Sequence, residues 1–551
     1  MANTTTGARA LVDALLREGV DHVFGIPGTQ NLAVIDALRE TPQIRFILTR
    51  HEQGAAFMAY GFARAAGRPS VVTATEGPGV TNLATGIGAA YRGLVPVISV
   101  CGVQESSMRE RDATQDMDQV TFMRPITKWA HSIPHVNKVQ ESVRKAFRVA
   151  LTEPQGPTHI EASSEILLEQ TPTEAIAPAA YRNTVLPTCS SAQLDAVFEL
   201  LARAERPVFV VGRGVISESA TSAMAELAER TGIPVGALQY SPDAFPSSHA
   251  LALGPLGRNG FGSANRIVPK ADVIIAVGAH IDVFSTMFKY GIFNEQAKLV
   301  HHSAAPGQIG IVFPVALGVT GSTTSFIAGL SECAAKAGLK KSWIDVPKAR
   351  AEWETELQAA VKHDAQPIQS QFVAHMIRKV LPHNGLLVVD AGNGGKHVRS
   401  YFKSYEPGTF MCIDDWASVG GSFPIALGAK LARPDRPVLC ASGDMGAMCN
   451  IGELETAVRE NIPVVYVVFN DQGLGNERAF QNEHYGGRFY AVDYRNPDFG
   501  ALARVFGAHG EHVTKPVELE GAITRAFASG KPAIVDVMID QHTLAPVVYK
   551  A

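Results

Sequence analysis

Short apolar runs rich in Val, Ile and Phe recur along this chain, and a stretch with helical spacing separates each from the next. From Thr6 to about Glu165 the runs VDHVFGI, IRFILT, SVVTAT, VPVISVCG and THIEAS alternate with stretches such as GAAFMAYGFARAAG. Strand and helix alternating in this order build βαβ units, and βαβ units build parallel sheets.

Residues 169–190, EQTPTEAIAPAAYRNTVLPTCS, are rich in Pro, Thr and Ala and carry no clear period, as an exposed connection does. The alternation then resumes with PVFVVGRGV, IPVGAL, ADVIIAVGAHID and KLVHH. Beyond the charged helical stretch KARAEWETELQAAVKHDAQ it resumes again, with GLLVVDAGNGG, PVLCASGD, IPVVYVVFND and PAIVDVMID. The expected architecture is α/β, with three tandem open parallel-sheet domains over residues 1–170, 191–345 and 367–551. A length of 551 residues agrees, at roughly 100–200 residues per domain.

Hydrophobic residues are 46% and charged residues 19% of the chain, the balance of a compact globular enzyme. A formal net charge of -4 with Lys and Arg dispersed offers no basic face to nucleic acid or an anionic membrane. The six cysteines (Cys101, Cys189, Cys333, Cys412, Cys440, Cys449) form no CxxC pair and lie mostly in apolar runs, as reduced core thiols of a cytoplasmic protein do. The opening MANTTTGARALVDALLREGV reads as an amphipathic helix without the basic-then-apolar order of a secretory signal. No run of 18 apolar residues predicts a membrane span.

The most specific local signal lies in the third block. Gly443-Asp444-Met445 closes the strand PVLCAS, a helical pattern follows, and the next strand ends in Asn470-Asp471-Gln472-Gly473. Two strand ends separated by one helix sit side by side at the carboxyl edge of a sheet, where open α/β sheets bind ligands. Asp444 and Asp471 can give Mg2+ two carboxylates, and the Gly473 carbonyl a third oxygen. Gly443 and Gly446 let the backbone approach a diphosphate, and a helix starting near Ala447 would turn its free N–H groups toward it. A lone Gly-Asp-x is most often a turn; the Asn-Asp on the following strand end is what turns this one into a site.

Gly443-Asp444 followed by Asn470-Asp471 resembles the motif, beginning GDG and ending NN, of thiamin diphosphate enzymes. Met445 stands where that family usually has Gly or Ala, and Asp471 where it usually has Asn. A carboxylate is the better ligand for a hard cation, so Mg2+ binding is kept. The family needs a carboxylate beside the aminopyrimidine N1′ of the cofactor, and Glu52, directly after IRFIL, resembles it. Its setting matches the family's pyrimidine-domain loops in acetohydroxyacid synthases, with Pro27 and Gly28 upstream and Gly77-Pro78-Gly79-Val80-Thr81-Asn82 downstream. A glutamate opening a helix is otherwise commonly a capping residue.

The segment Trp416–Pro424 is similar to the family loop that bends the cofactor. Val419 would be the wedge between its rings, and the Ala417 carbonyl would accept from its amino group. Gly392, Asn393 and Gly394 would close over the diphosphate. The resemblance covers essentially the whole chain and implies a pyrimidine-binding, a central and a diphosphate-binding domain. It also implies sites shared between chains, in a homodimer or homotetramer.

The loops at Thr75–Pro78 and Ala113–Gln119, where simple decarboxylases of this family place histidines, contain none. Gln115 instead resembles the glutamine of carboligating acetohydroxyacid synthases, with Gln119 as the competing position. Glu477 has three readings: a proton relay, an acid that orients substrate, or a solvated helix residue. Sulfoacetaldehyde acetyltransferases resemble the chain at this Gly-x-Glu-basic sequence, and Arg478 is a cation that could hold an acceptor's anion.

Small 2-oxo acids and aldehydes are the implied substrates, for carboligation, acyl transfer to phosphate, or simple decarboxylation. Val300-His301-His302-Ser303 replaces the acidic strand end that would bind a ribose hydroxyl, which argues against FAD. Adjacent strand histidines point to opposite faces and read as structural. Two other classes compete. A non-catalytic relative would be marked by loss of Glu52, and a nucleotide-linked dehydrogenase by a GxGxxG fingerprint that is missing here.

Overall fold

The computed structural model describes residues 4–183, 185–287, 291–413 and 416–545; Thr184, inside the expected connection 169–190, lies outside them. A short antiparallel pair, β1 (Thr4–Thr6) and β8 (Gln170–Pro172), ties the two ends of the first unit together. Between them lie β2 (His22–Gly25), β3 (Arg45–Leu48), β4 (Ser70–Ala74), β5 (Val97–Val103), β6 (Trp129–Ser132) and β7 (Thr158–Ser163). They form one sheet in the order β3-β2-β4-β5-β7-β6.

The second sheet holds β9 (Pro207–Val211), β10 (Val235–Ala237), β11 (Ala252–Pro255), β12 (Val273–Val277), β13 (Lys298–Ser303) and β14 (Leu317–Thr320), in the order β11-β10-β9-β12-β13-β14. The third holds β15 (Leu386–Val389), β16 (Phe410–Cys412), β17 (Val438–Gly443), β18 (Val465–Asn470), β19 (His509–Val513) and β20 (Ala533–Met538), in the order β16-β15-β17-β18-β20-β19. Every neighbouring pair in these three sheets is parallel. The α/β class and the three parallel-sheet domains are therefore as the alternation predicts.

Helices cover both faces of each sheet, so inner strands such as β5, β9 and β12 are buried along their whole length and read as unbroken apolar runs. The first and third domains share one hydrophobic core, built across the contact of helix Glu52–Ala66 with helix Ser422–Ala432. The approach is close because glycine stands at both crossing points. A Cβ on Gly61 would lie 2.0 Å from the Ile425 carbonyl oxygen, and one on Gly428 1.9 Å from that of Met58. This contact fixes where Glu52 stands relative to the third sheet.

Four of the cysteines are buried, Cys333 is half-buried and Cys449 is exposed, so the expectation of core thiols fails for Cys449; all six are free thiols. No helix among the described residues is long and apolar enough to cross a membrane.

Candidate active site

In the third sheet the strand order reverses between β15 and β17, and in the first between β2 and β4. Ligands of open α/β sheets bind beyond the carboxyl ends of strands at such points. The loops after β15, β17 and β18 line a cavity of about 720 Å³, together with Tyr240, Arg258 and Phe284 of the central domain. That volume falls within the roughly 300–1,000 Å³ of small-molecule sites.

Gly392, Asn393, Gly394, Ala417, Val419, Gly443, Asp444, Met445, Gly446, Asp471 and Gly473 all line this one cavity. Gly392 has φ +105°, open only to glycine, and neither it nor Gly443 has an atom within 4 Å of where a Cβ would stand. Asn393 lines the cavity, but its side chain is spent on the carbonyl of Thr543 (2.9 Å) and the N–H of Ala545 (2.7 Å). The helix after β17 starts at Asp444 rather than near Ala447, because an acidic first-turn residue favours a helix start there and its Oδ1 accepts the Met445 N–H (2.8 Å).

Asp444 and Asp471 are both buried. The Tyr494 hydroxyl lies 2.7 Å from Asp444 Oδ1 and 3.0 Å from the Gly473 carbonyl oxygen, with one proton to give to either, so these oxygens face one point. Asn496 donates to Asp444 Oδ2 (2.7 Å) and to Asn470 Oδ1 (3.1 Å). Burial, then the charge of Asp444, pushes the Asp471 carboxyl up to about 7. The pair of carboxylates is short of positive charge, which is the donor set of a hard cation.

Part of that charge comes from Arg478, and here the structure corrects the sequence reading. Arg478 is 2% exposed and is not among the described residues that line the cavity. It lies 3.5 Å from Asp471 and donates to Asp493 (2.5 Å) and the Gln541 carbonyl (3.3 Å). A buried guanidinium takes the nearest carboxylates, so it is not available to an acceptor. Glu477 does line the cavity, in the first turn of helix Gly475–Tyr485, exposed and bonded to Asn476 Nδ2 (2.8 Å).

Val419 is 44% exposed although apolar. Its loop is fixed from beneath by Asp390, which accepts from Gly420 N (3.0 Å) and Ser422 Oγ (2.6 Å) and whose carboxyl burial pushes up to about 6. Ala417 is held at φ +54°, a strained conformation for a residue with a Cβ, of the kind found at functional loops.

The other predicted residues cluster on the first sheet. Pro27 and Gly28 follow β2, and a Cβ on Gly28 would meet the Thr75 side chain beyond β4 at 2.4 Å. Glu52 Oε2 accepts from Asn82 Nδ2 (3.0 Å). Glu453 of the third domain caps the start of the Glu52 helix, accepting from the N–H groups of Arg50 (3.1 Å) and His51 (3.0 Å).

Gln115 and Gln119 are told apart by their surroundings. Gln119 is buried, with its amide spent on Gly77 N (2.8 Å), Glu161 (2.8 Å) and the Gly102 carbonyl (3.1 Å). Gln115 is exposed at φ +73°, against Gly77. Among the described residues lining the 720 Å³ cavity, none comes from the first domain. Pro27, Gly28, Glu52, Asn82 and Gln115 therefore stand apart from the cavity that the loops after β15, β17 and β18 line.

Sequence reasoning missed Tyr494, Asn496 and Asp390, whose roles come from contacts across the fold with no fixed spacing to a motif. It also missed Glu76, which is 1% exposed and whose Oε1 accepts from Gln30 (2.9 Å) and Gln104 (3.1 Å). Burial and the charges of Asp116 and Glu161, against Arg109, push its carboxyl up to about 7, from 4.5 in an unfolded chain. The folded state thus holds this proton more tightly. The stability it brings is complete below pH 4.5 and lost as pH rises through about 7. With allowance for solvent screening, Glu76→Gln is expected to gain about 1–2 kcal/mol at pH 8 and nothing at pH 4. Urea midpoints at the two pH values measure this, and equal shifts at both would refute it.

Comparison with known proteins finds three matched domains along the chain. Residues 5–122 match the thiamine pyrophosphate enzyme N-terminal TPP binding domain, 194–330 the central domain and 390–537 the C-terminal TPP binding domain. The chain is 33% identical to a probable acetolactate synthase large subunit of Methanocaldococcus jannaschii, over 98% of this chain and 93% of the relative. It is 30% identical to the acetolactate synthase large subunit of Haemophilus influenzae, over 97% and 95%. It is also 30% identical to the sulfoacetaldehyde acetyltransferase of Alcaligenes xylosoxydans xylosoxydans, over 97% and 93%. With matched domains in the order of its three sheets and relatives aligned along nearly its whole length, this chain belongs to the thiamine pyrophosphate enzymes and is a thiamin diphosphate-dependent enzyme.

Proposed function

We propose that the enzyme cleaves the carbon–carbon bond beside the carbonyl of a 2-oxo acid and transfers the remaining fragment to an acceptor, in the manner of an acetolactate synthase. The carrying observation is the set of proton-handling groups in the cavity. Among its described lining residues there is no imidazole, and outside the Asp444–Asp471 pair the one carboxyl is that of Glu477.

In this reading Asp444, Asp471 and the Gly473 carbonyl hold Mg2+, which relieves the repulsion that raises the Asp471 carboxyl. Gly392, Gly394, Gly443, Met445 and Gly446 bring backbone to the diphosphate, as does Asn393 with its side chain turned to Thr543. Val419 separates the two rings, and the Ala417 carbonyl accepts from the amino group. Thiamin diphosphate, when bound, supplies a nucleophilic carbon that can also store an electron pair. Glu52, oriented by Asn82, holds the proton at the pyrimidine N1′. Pro27, Gly28, Glu52 and Asn82 come from a second copy, which completes the site in a homodimer or homotetramer. Gln115 orients the substrate, and Glu477 handles a proton at the product oxygen.

FAD is not part of this reading. His301 pairs with the Ala279 carbonyl (2.9 Å) and His302 with that of Gly321 (3.0 Å), leaving no acid at this strand end. The likeness to a sulfoacetaldehyde acetyltransferase supports a second reading, acyl transfer to phosphate. Mass spectrometry of products from pyruvate alone, from pyruvate with 2-oxobutanoate, or from sulfoacetaldehyde with phosphate distinguishes the two, because an acyl phosphate forms without an oxidant only from a donor whose sulfonate can leave as sulfite. The expected result is a condensation product or an acyl phosphate. Rapid release of acetaldehyde, unaffected by either acceptor and lost in Glu477→Gln, would sink both.

A further inference from the structure

Asp536 interrupts the apolar strand β20 (AIVDVM), is 0% exposed, and is not among the described residues that line the cavity. A carboxylate buried in such a strand is costly unless both its oxygens are hydrogen-bonded. Strand register brings the partners. Asp536 stands opposite Val468 of β18 and opposite His512 of β19, so Asn470, two residues beyond Val468, shares its face. Asn470 Nδ2 donates to Asp536 Oδ1 (2.9 Å), while Oδ2 accepts from the Phe499 N–H (3.2 Å) and from His512 Nδ1 (2.9 Å). All three neighbours are donors, so this carboxyl accepts on both oxygens and carries no proton of its own.

An ionised carboxylate can only accept, which sets the direction of every bond beyond it. Asn470 must turn its amino group to Asp536, so its oxygen faces Asn496 and takes an N–H from it (3.1 Å). The second N–H of Asn496 then goes to Asp444 Oδ2 (2.7 Å). Through two amides, Asp536 therefore decides which oxygen of Asp444 is engaged. The other, Oδ1, is the one beside Tyr494 and the Gly473 carbonyl, on the side of the cation.

We propose that Asp536 is a positioning residue for the cation: acting through Asn470 and Asn496, it keeps Asp444 Oδ2 engaged and leaves Oδ1 alone to bind the metal. One carboxylate oxygen suits Mg2+, which demands near-octahedral geometry and keeps its waters, whereas Ca2+ readily takes both oxygens of a carboxylate. The chain of amides thus selects Mg2+ over Ca2+. The inference rests on Asp444 being a metal ligand, as in the reading above.

The test is calorimetric titration of the full-length protein with thiamin diphosphate at a series of Mg2+ or Ca2+ concentrations, which gives the affinity for each ion. In Asp536→Asn the amide turns a donor toward either Phe499 or Asn470; the Phe499 N–H is backbone and cannot rotate, so Asn470 must. The preference for Mg2+ over Ca2+ is expected to fall about tenfold, the worth of one hydrogen bond to a charged group, in Asp536→Asn and equally in Asn496→Ala. The double variant should lose no more than Asn496→Ala alone, because both changes act on one oxygen. A merely structural Asp536 would lower the melting temperature and leave the ratio of affinities as in the parent. That unchanged ratio overturns the proposal, and so do additive effects in the double variant. Asn496 is half-buried in a loop, so its variant keeps the test open if Asp536→Asn fails to fold, and an unchanged ratio there breaks the last link. Parent-like cofactor binding by Asp444→Ala would sink the ligand reading itself; loss of Mg2+ dependence in Asp444→Ala beside unchanged ratios in the other variants sinks this inference alone.

Discussion

Glu52→Gln is expected to slow hydrogen exchange at the thiazolium C2 of the bound cofactor by about a hundred- to ten-thousandfold, the usual worth of a positioned proton-transfer group. Folding and cofactor affinity should be nearly unchanged. Glutamine keeps the volume and still accepts from Asn82 (3.0 Å in the parent), and the helix start is held by Glu453 rather than by Glu52. What is lost is a carboxylate able to hold the proton at N1′. Exchange is read by NMR after acid quench, and a rate equal to wild type would remove Glu52 from the chemistry.

Asp444→Ala is expected to weaken Mg2+-dependent binding of thiamin diphosphate by at least about a hundredfold, since a primary oxygen ligand goes and the diphosphate is left poorly neutralised. The Tyr494 hydroxyl and Asn496 amide would also lose their shared acceptor. Cofactor titrations with and without Mg2+ measure the effect, and equal affinities in variant and parent would rule out the ligand role. The two variants together test whether two chains share one site. If a site draws Glu52 from one chain and Asp444 from another, mixing the two inactive proteins after subunit exchange restores up to about a quarter of wild-type activity. If one chain supplies both, mixing restores none.

The parts legible in the sequence are those set by a few neighbouring residues. Inner strands such as β5, β12, β17 and β18 are buried on both faces and announce themselves as unbroken apolar runs. Strands β6, β11, β14, β16 and β19 escaped notice, and each is the edge of its sheet. An edge strand is short or partly solvated, as the half-exposed Trp129–Ser132 is, and need not carry such a run. The glycine and aspartate motifs were equally legible, because a loop at a strand end takes its shape from local turn chemistry.

Long-range pairing decided the rest. Arg478 follows Glu477 in the chain and its position suggests an acceptor's anion, yet its guanidinium pairs with Asp471 and Asp493 while Glu477 lines the cavity. Gln115 and Gln119 are alike in sequence context, and only the packing of Glu161 and Gly102 around Gln119 separates a buried structural amide from an exposed one. Arg258 meets Lys396 and Arg399 at the cavity across some 140 residues of chain. The sequence by itself determined the α/β class, the three blocks and the loops that face a diphosphate, since backbone period and turn residues act over a few positions. The tertiary structure alone decided which buried charges neutralise one another and which face the cavity, because that choice depends on distances between segments that no local pattern encodes.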